Sequence, residues 1–332
     1  MQAIIPVAGA GTRLRPHTHT QPKPLMPVAG RPLLGHIVEH WIAAGVTDFV
    51  FVLGYMGGKV EEYITEDFAD RVSCHFVLQE QQLGIAHAIR QAKEHIKLSE
   101  PSFIILGDTI VDTEDIARIV AAEDTTLGVH RVEDPRQFGV AVLGNDGLID
   151  GLVEKPNIPK SNLALVGIYH IKETEQLFAA IDELLAQHRT NKGEYQLTDA
   201  LASMLAQGVP MRTIHVRHWY DCGKPEVLLE TNRQLLKKAG RVPETTPPDS
   251  VIIPPVYIPA SCRIRRSIIG PNVTLGEGSE VEASIVSDAI LGAYSTLQQV
   301  VLRHSIVGND STLSGHAHTL NIGDHAAIDF SA

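Results

Sequence analysis

Between residues 252 and 313, aliphatic side chains recur in three interleaved columns: Ile252, Ile269, Val286 and Leu302; Ile258, Leu275, Leu291 and Val307; Ile264, Val281, Leu297 and Leu313. Spacing down each column is 16 or 17 residues, and neighbouring columns lie five or six residues apart. A chain that points one aliphatic inward at every hexapeptide builds a coil with three short sides, and coils stacked at this period make a parallel β-helix. About four such coils fit before the end. Glycines follow many of the inward positions, at Gly270, Gly276, Gly292, Gly308 and Gly323, where the turns are expected to need a permissive backbone. The alternative, an ordinary antiparallel β domain, would have to place twelve aliphatics in register by accident.

Upstream the pattern is different. Short apolar runs at residues 3–8, 49–53, 75–78 and 103–106 read as strands, and helical spacing at residues 33–42, around 60–64 and at 85–96 falls between them. This alternation predicts βαβ units in a mostly parallel sheet, with ligands bound by the loops that follow strand ends. Residues 237–248 then combine Lys-Lys, Gly and Pro-Pro with little apolar content. The expected organisation is a first domain of residues 1–236, a linker at 237–250 and the β-helix over 251–332.

A net charge of −11 argues against nucleic acid or an anionic membrane as partner. One region runs against it: no acidic residue precedes Glu39, while Arg13, Arg15, Lys23 and Arg31 all fall there, which marks a local anion-binding candidate. Three scattered cysteines, Cys74, Cys222 and Cys262, offer neither a disulfide framework nor zinc spacing, so a reducing compartment is expected. With no basic lead at the N-terminus and no apolar run of spanning length, the expected location is the cytoplasm.

The run from Pro6 to Leu14 is a loop of small residues after a strand, where backbone N–H groups can close around a phosphate or base. It lacks the Gly-Lys-Ser/Thr of a Walker loop and the Rossmann glycine spacing, and on its own a tight turn is an equal reading. In Gln21-Pro22-Lys23-Pro24 two prolines stiffen the backbone around Lys23, so its ammonium and the guanidinium of Arg13 can clamp a polyphosphate from two directions. Asp108 follows the strand at 103–106 and is a good hard-oxygen ligand, although a turn or helix cap explains it equally. Asp221, in Trp219-Tyr220-Asp221-Cys222-Gly223, lies more than a hundred residues away, so only the fold can bring the two carboxylates together. Read alone, Glu154-Lys155 is an adjacent charge pair of the kind usually found solvated.

Taken together, A-G-A-G-T-R-L-R-P, P-K-P-L-M-P-V and G-R-P-L-L between Ile5 and Leu34 resemble the signature of the sugar-phosphate nucleotidyltransferases, also called NDP-sugar pyrophosphorylases. The resemblance is strongest to long-form glucose-1-phosphate thymidylyltransferases and covers nearly the whole chain. It implies an α/β fold: a Rossmann-like, mostly parallel sheet domain followed by a short left-handed parallel β-helix. It also implies roles. Ala8, Gly9, Ala10, Gly11, Thr12 and Arg13, with Gln79 and Gly84, would bind the nucleotide; Gln79 would read the base, with Gln81 or Gln82 as alternatives. Leu106, Gly139, Glu154, Lys155, Gly167 and Trp219 would bind the sugar. Asp108 and Asp221 would hold Mg2+, and Arg13, Lys23 and Lys155 would neutralise phosphate charge. Three positions depart from the family's usual residues: Ala8 replaces glycine, Thr109 asparagine and Cys222 threonine.

The implied reaction joins an NTP to a sugar 1-phosphate with release of pyrophosphate, dTTP or UTP with glucose 1-phosphate being the expected pair. Rivals are guanylyl, adenylyl or cytidylyl transfer to mannose 1-phosphate or another sugar phosphate, a catalytically silent regulatory subunit on the same fold, and a second, acetyl-transferring activity in the β-helix. His304, His316, His318 and His325 crowd the repeat region and are expected to be scattered surface residues. The exposed end of a short β-helix favours a homo-oligomer.

Overall fold

The computed structural model describes residues 1–240 and 247–316. It divides into two compact units, Met1–Thr231 and Asn232–Ala332.

The first unit is built on a nine-stranded sheet. In spatial order Ser73–Leu78, Asp48–Leu53, Gln2–Pro6 and Ser102–Ile105 run parallel. Ala3, Ile4 and Ile5 are fully buried, as expected of a parallel strand covered on both faces. Ile4 shares a core with Ala88 and Ile89 of the helix Ile85–Gln91. Against the other face, Trp41 of the helix Leu33–Ala43 meets Phe103 with ring centroids 5.1 Å apart. The parallel reading of the sequence holds for these four strands. Residues 125–171 extend the sheet with antiparallel ones: Leu163–Ile171 pairs with Ser102–Ile105, with Gly139–Leu143 and with Thr125–Arg131. Its pairing with Thr125–Arg131 is irregular between Leu165 and Tyr169, around Gly167. The helix expected at 85–96 ends at Gln91, where the Ala92 N–H bonds the Ile89 carbonyl and the chain tightens into a 3-10 turn at Lys93–His95.

Outside the main sheet lies a small antiparallel ribbon of Thr109–Val111 and Trp219–Asp221, with Asp221 opposite Thr109 and Trp219 opposite Val111. It joins two segments more than a hundred residues apart in the chain.

The second unit is a stack of parallel coils. Ile252, Ile269, Val286 and Leu302 pair in register from coil to coil, as do Ile264, Val281, Leu297 and Leu313. All twelve residues of the three aliphatic columns lie in or against one hydrophobic core. Gly270 meets the sequence expectation, with φ 111° at its turn, but Gly276 and Gly292 act differently. Most corners that need a left-handed backbone are occupied by other residues, Arg266, Ala283 and Gln299 at one and Asn272, Asp288 and His304 at another. Gly276 and Gly292 instead permit close stacking: a Cβ on Gly276 would come within 2.3 Å of the Ala293 nitrogen, and one on Gly292 within 2.5 Å of the Asn309 nitrogen. Gly323 lies outside the described residues. The C-terminal part of the helix Pro225–Lys238 belongs to this unit, where Asn232 accepts from Thr274 Oγ1 at 2.6 Å and Arg233 meets Asp288 at 3.1 Å.

Candidate active site

The ends of the parallel strands open onto a cavity of about 490 Å³. The loop after Gln2–Pro6 supplies Ala8, Gly9, Gly11, Thr12 and Arg13 to its wall, and Lys23, Gln79, Gly84, Leu106 and Asp108 complete a set anticipated from the sequence. Of the predicted loop residues, Ala10 is not part of that lining. Gly11 has φ 60°, and a Cβ there would lie 2.8 Å from Lys23 Cβ, so glycine is what lets the loop close over the lysine. At Gly9 a Cβ would meet no protein atom within 4 Å, so the space beyond it is open to a ligand.

Two glutamines, Gln79 and Gln82, also line the cavity. Gln82 donates from Nε2 to the Ala8 carbonyl at 2.9 Å. Buried Gln79 uses its Nε2 on the Gly84 carbonyl, 3.1 Å away, and lies 3.0 Å from His87 Nδ1. Gln81 is exposed and outside the lining.

Charge collects around Lys23, Arg13 and Asp108 in the same lining. Lys23 is 8% exposed and ion-paired with Asp108. A buried ammonium needs such a partner, because desolvation without one is costly. Asp221 is next to this pair by virtue of the ribbon register, and the Cys222 N–H donates to the Asp108 carbonyl at 3.1 Å. Burial, then the Asp108 carboxylate, pushes the Asp221 carboxyl above its ordinary range, while Lys23 and Arg13 pull it back down. The guanidinium of Arg13 packs on Gly223, where a Cβ would come 2.5 Å from Nη2. Two hard carboxylates, one desolvated and repelled by the other, fit a divalent cation. Among the described residues no group of three or more metal-binding side chains exists, so such an ion would take its remaining ligands from water and phosphate oxygens.

Of the remaining predicted residues, Glu154, Lys155 and Gly139 form a second cluster, Gly167 adjoins Leu106, and Trp219 packs on Phe138. Glu154, whose side chain is 8% exposed, accepts from Thr198 Oγ1 at 2.7 Å and lies 3.3 Å from Lys155 Nζ. A Cβ on Gly139 would lie 3.0 Å from Glu154 Oε2, which puts Gly139 at the same spot. Gly167 is tied to the cavity wall, since the Leu106 N–H donates to its carbonyl at 2.9 Å. Trp219 meets Phe138 edge-on at 5.0 Å, and its buried indole N–H has no hydrogen-bond partner. Thr198 lies in the first turn of Leu197–Ala206, after the cap Gln196, with its hydroxyl turned to Glu154. Ile85, Ala88 and Glu194 also line the cavity, and no local signal marked them.

The family described as Nucleotidyl transferase matches residues 2–238. The chain belongs to that family. Among relatives of this nucleotidyl transferase, a glucose-1-phosphate thymidylyltransferase of Streptomyces griseus is 34% identical, and the match covers 100% of both chains. One of Streptomyces antibioticus is 30% identical over 99% of each. Among solved structures, a UDP-glucose pyrophosphorylase complexed with UDP-glucose superposes with TM-score 0.62 at 26% identity, covering 71% of the nucleotidyl transferase and 98% of that chain. No described helix is long and apolar enough to cross a membrane.

Proposed function

We propose that the chain transfers the nucleotidyl group of an NTP to a sugar 1-phosphate, with dTTP and glucose 1-phosphate as its substrates. The observation that carries this reading is the meeting of Asp108 and Asp221 beside Lys23 and Arg13 at a glycine-lined cavity. The full-length match to two thymidylyltransferases supports the choice of base and sugar.

No protein nucleophile is required. An ionised oxygen of the sugar phosphate attacks the α-phosphorus; as that P–O bond forms, the bond to the bridging oxygen of the β-phosphate breaks and its electron pair leaves on pyrophosphate. The protein supplies position and charge. Arg13 holds the departing phosphates and Lys23 the reacting ones. Asp108 and Asp221 hold Mg2+, which when bound neutralises phosphate charge. Gln79 and Gln82, beside Ala8, face the base. On the sugar side Glu154 accepts from hydroxyls, Lys155 meets the sugar phosphate, Gly139 and Gly167 leave room for the ring, and Leu106 and Trp219 wall it.

A pyrophosphate-release screen of five NTPs against a panel of sugar 1-phosphates tests the reading. Highest turnover is expected for dTTP with glucose 1-phosphate. A preference for UTP, GTP, ATP or CTP, or for mannose 1-phosphate, would replace the substrate pair, and release with no pair at all would leave the silent-subunit alternative.

A further inference from the structure

The ribbon that brings Asp221 to Asp108 rests on three residue pairs, Trp219 with Val111, Tyr220 with Ile110 and Asp221 with Thr109, continued by the single Cys222 N–H bond to the Asp108 carbonyl. A two-stranded ribbon this short has little stability of its own. Slippage by one residue would turn Asp221 to the opposite face. Something beyond the ribbon must hold its register.

The chain just before it is gripped by the helix Thr113–Val120, which directly follows the other ribbon strand. Asp115 in its first turn is fully buried, an environment a carboxylate tolerates only with its oxygens satisfied. Its Oδ2 accepts from the backbone N–H of Arg217 at 2.8 Å, and its Oδ1 from Arg118 Nη1 at 3.1 Å. The same Arg118 nitrogen donates to the His215 carbonyl at 3.3 Å. Two exposed pairs flank this anchor, His218 with Asp112 at 2.6 Å and Arg217 with Glu114 at 3.2 Å. The strand Met211–His215 ends before this segment and Trp219–Asp221 begins after it, so the buried carboxylate takes the place of a ladder bond across the gap.

We infer that Asp115 is a positioning residue: by accepting from the Arg217 amide it sets the register of Trp219–Asp221 and so holds the Asp221 carboxylate at Asp108. The inference rests on the proposed role of those two aspartates as cation ligands. It concerns a residue that touches neither substrate nor ion.

The test uses Tb3+ as a hard-cation probe, with luminescence excited through Trp219. The chain has two tryptophans, so Trp41→Phe, excited at the red edge of the indole band where tyrosine does not absorb, provides a background in which Trp219 alone reports. In that background Asp115→Ala is expected to raise the Tb3+ half-saturation about tenfold and to speed amide exchange over residues 217–222, with a cooperative melt retained. Asp115→Asn keeps an oxygen for the Arg217 amide but is a weaker acceptor, so a rise of about threefold is expected. Glu114→Gln, on the exposed flanking pair, should match the parent. Parental Tb3+ binding in Asp115→Ala overturns the assignment; if that variant does not fold, parental Tb3+ binding and parental Arg217 exchange in Asp115→Asn overturn it. These readouts need no substrate. A parent that binds Tb3+ but turns over no NTP and sugar pair would sink the proposed reaction and leave the anchor standing.

Discussion

The hydroxyl of Thr198 donates to Glu154 Oε2 at 2.7 Å, joining a helix start to the end of a strand 44 residues earlier. Glu154 is thus held from one side by Thr198 and from the other by Lys155. Thr198→Val keeps the shape and removes the donor from a buried carboxylate, at a cost of about 1–3 kcal/mol. Thermal denaturation should show this loss. Steady-state kinetics should show KM for the sugar phosphate rising about tenfold with a smaller effect on KM for the NTP.

Gly11→Ala adds a Cβ at φ 60°, 2.8 Å from Lys23 Cβ. The left-handed backbone alone costs about 1–2 kcal/mol, and relief of the clash must displace Lys23 or the loop. A fall in kcat on the order of tenfold to a hundredfold is expected. The melt should drop only modestly, which separates a disturbed site from a disturbed fold.

Removal of divalent ions with EDTA should abolish pyrophosphate release, and added Mg2+ should restore it. Asp108→Asn should lower kcat by about 10²–10³-fold with saturating Mg2+ while leaving circular dichroism unchanged. Activity close to that of the unaltered chain would remove Asp108 from the site.

Cys74 provides a pH test away from the cavity. Burial pushes its thiol from 9.0 up to about 11. A group whose folded pKa is raised contributes stability that is complete below its unfolded value and is lost as pH rises through its folded value. Between pH 9 and 11 the urea midpoint of the parent should therefore fall more steeply than that of Cys74→Ala. At pH 8, iodoacetamide should label Cys74 far more slowly in the folded chain than in urea.

The β-helix was legible because its signal is periodic: each coil repeats the same three inward positions, and all twelve chosen aliphatics reached the core. Gly270 has the positive φ that its turn position suggests, at 111°, but Gly276 and Gly292 are necessary for another reason. Turn chemistry suggested left-handed corners, whereas contact between successive coils is what excludes a side chain at Gly276 and Gly292. In the first unit the Gly9 to Arg13 loop, Lys23 and Asp108 follow strand ends, and the cavity lining includes them. The nearness of Asp221 depends on ribbon register, a long-range property with no local mark in Trp219-Tyr220-Asp221. The Thr198 partnership with Glu154 was hidden for the same reason: a threonine at a helix start has an adequate local explanation in capping.

The ribbon also bears on how the enzyme is made. Thr109–Val111 leaves the ribosome long before Trp219–Asp221, and the intervening strands and helices can condense around the central sheet in the interval. The aspartate pair is then among the last features the first unit acquires. A nascent chain halted short of residue 221 could contain most of the proposed nucleotide pocket and still lack one of the two carboxylates of the proposed cation site. Translation itself would thus delay the onset of chemistry until that fold is nearly whole.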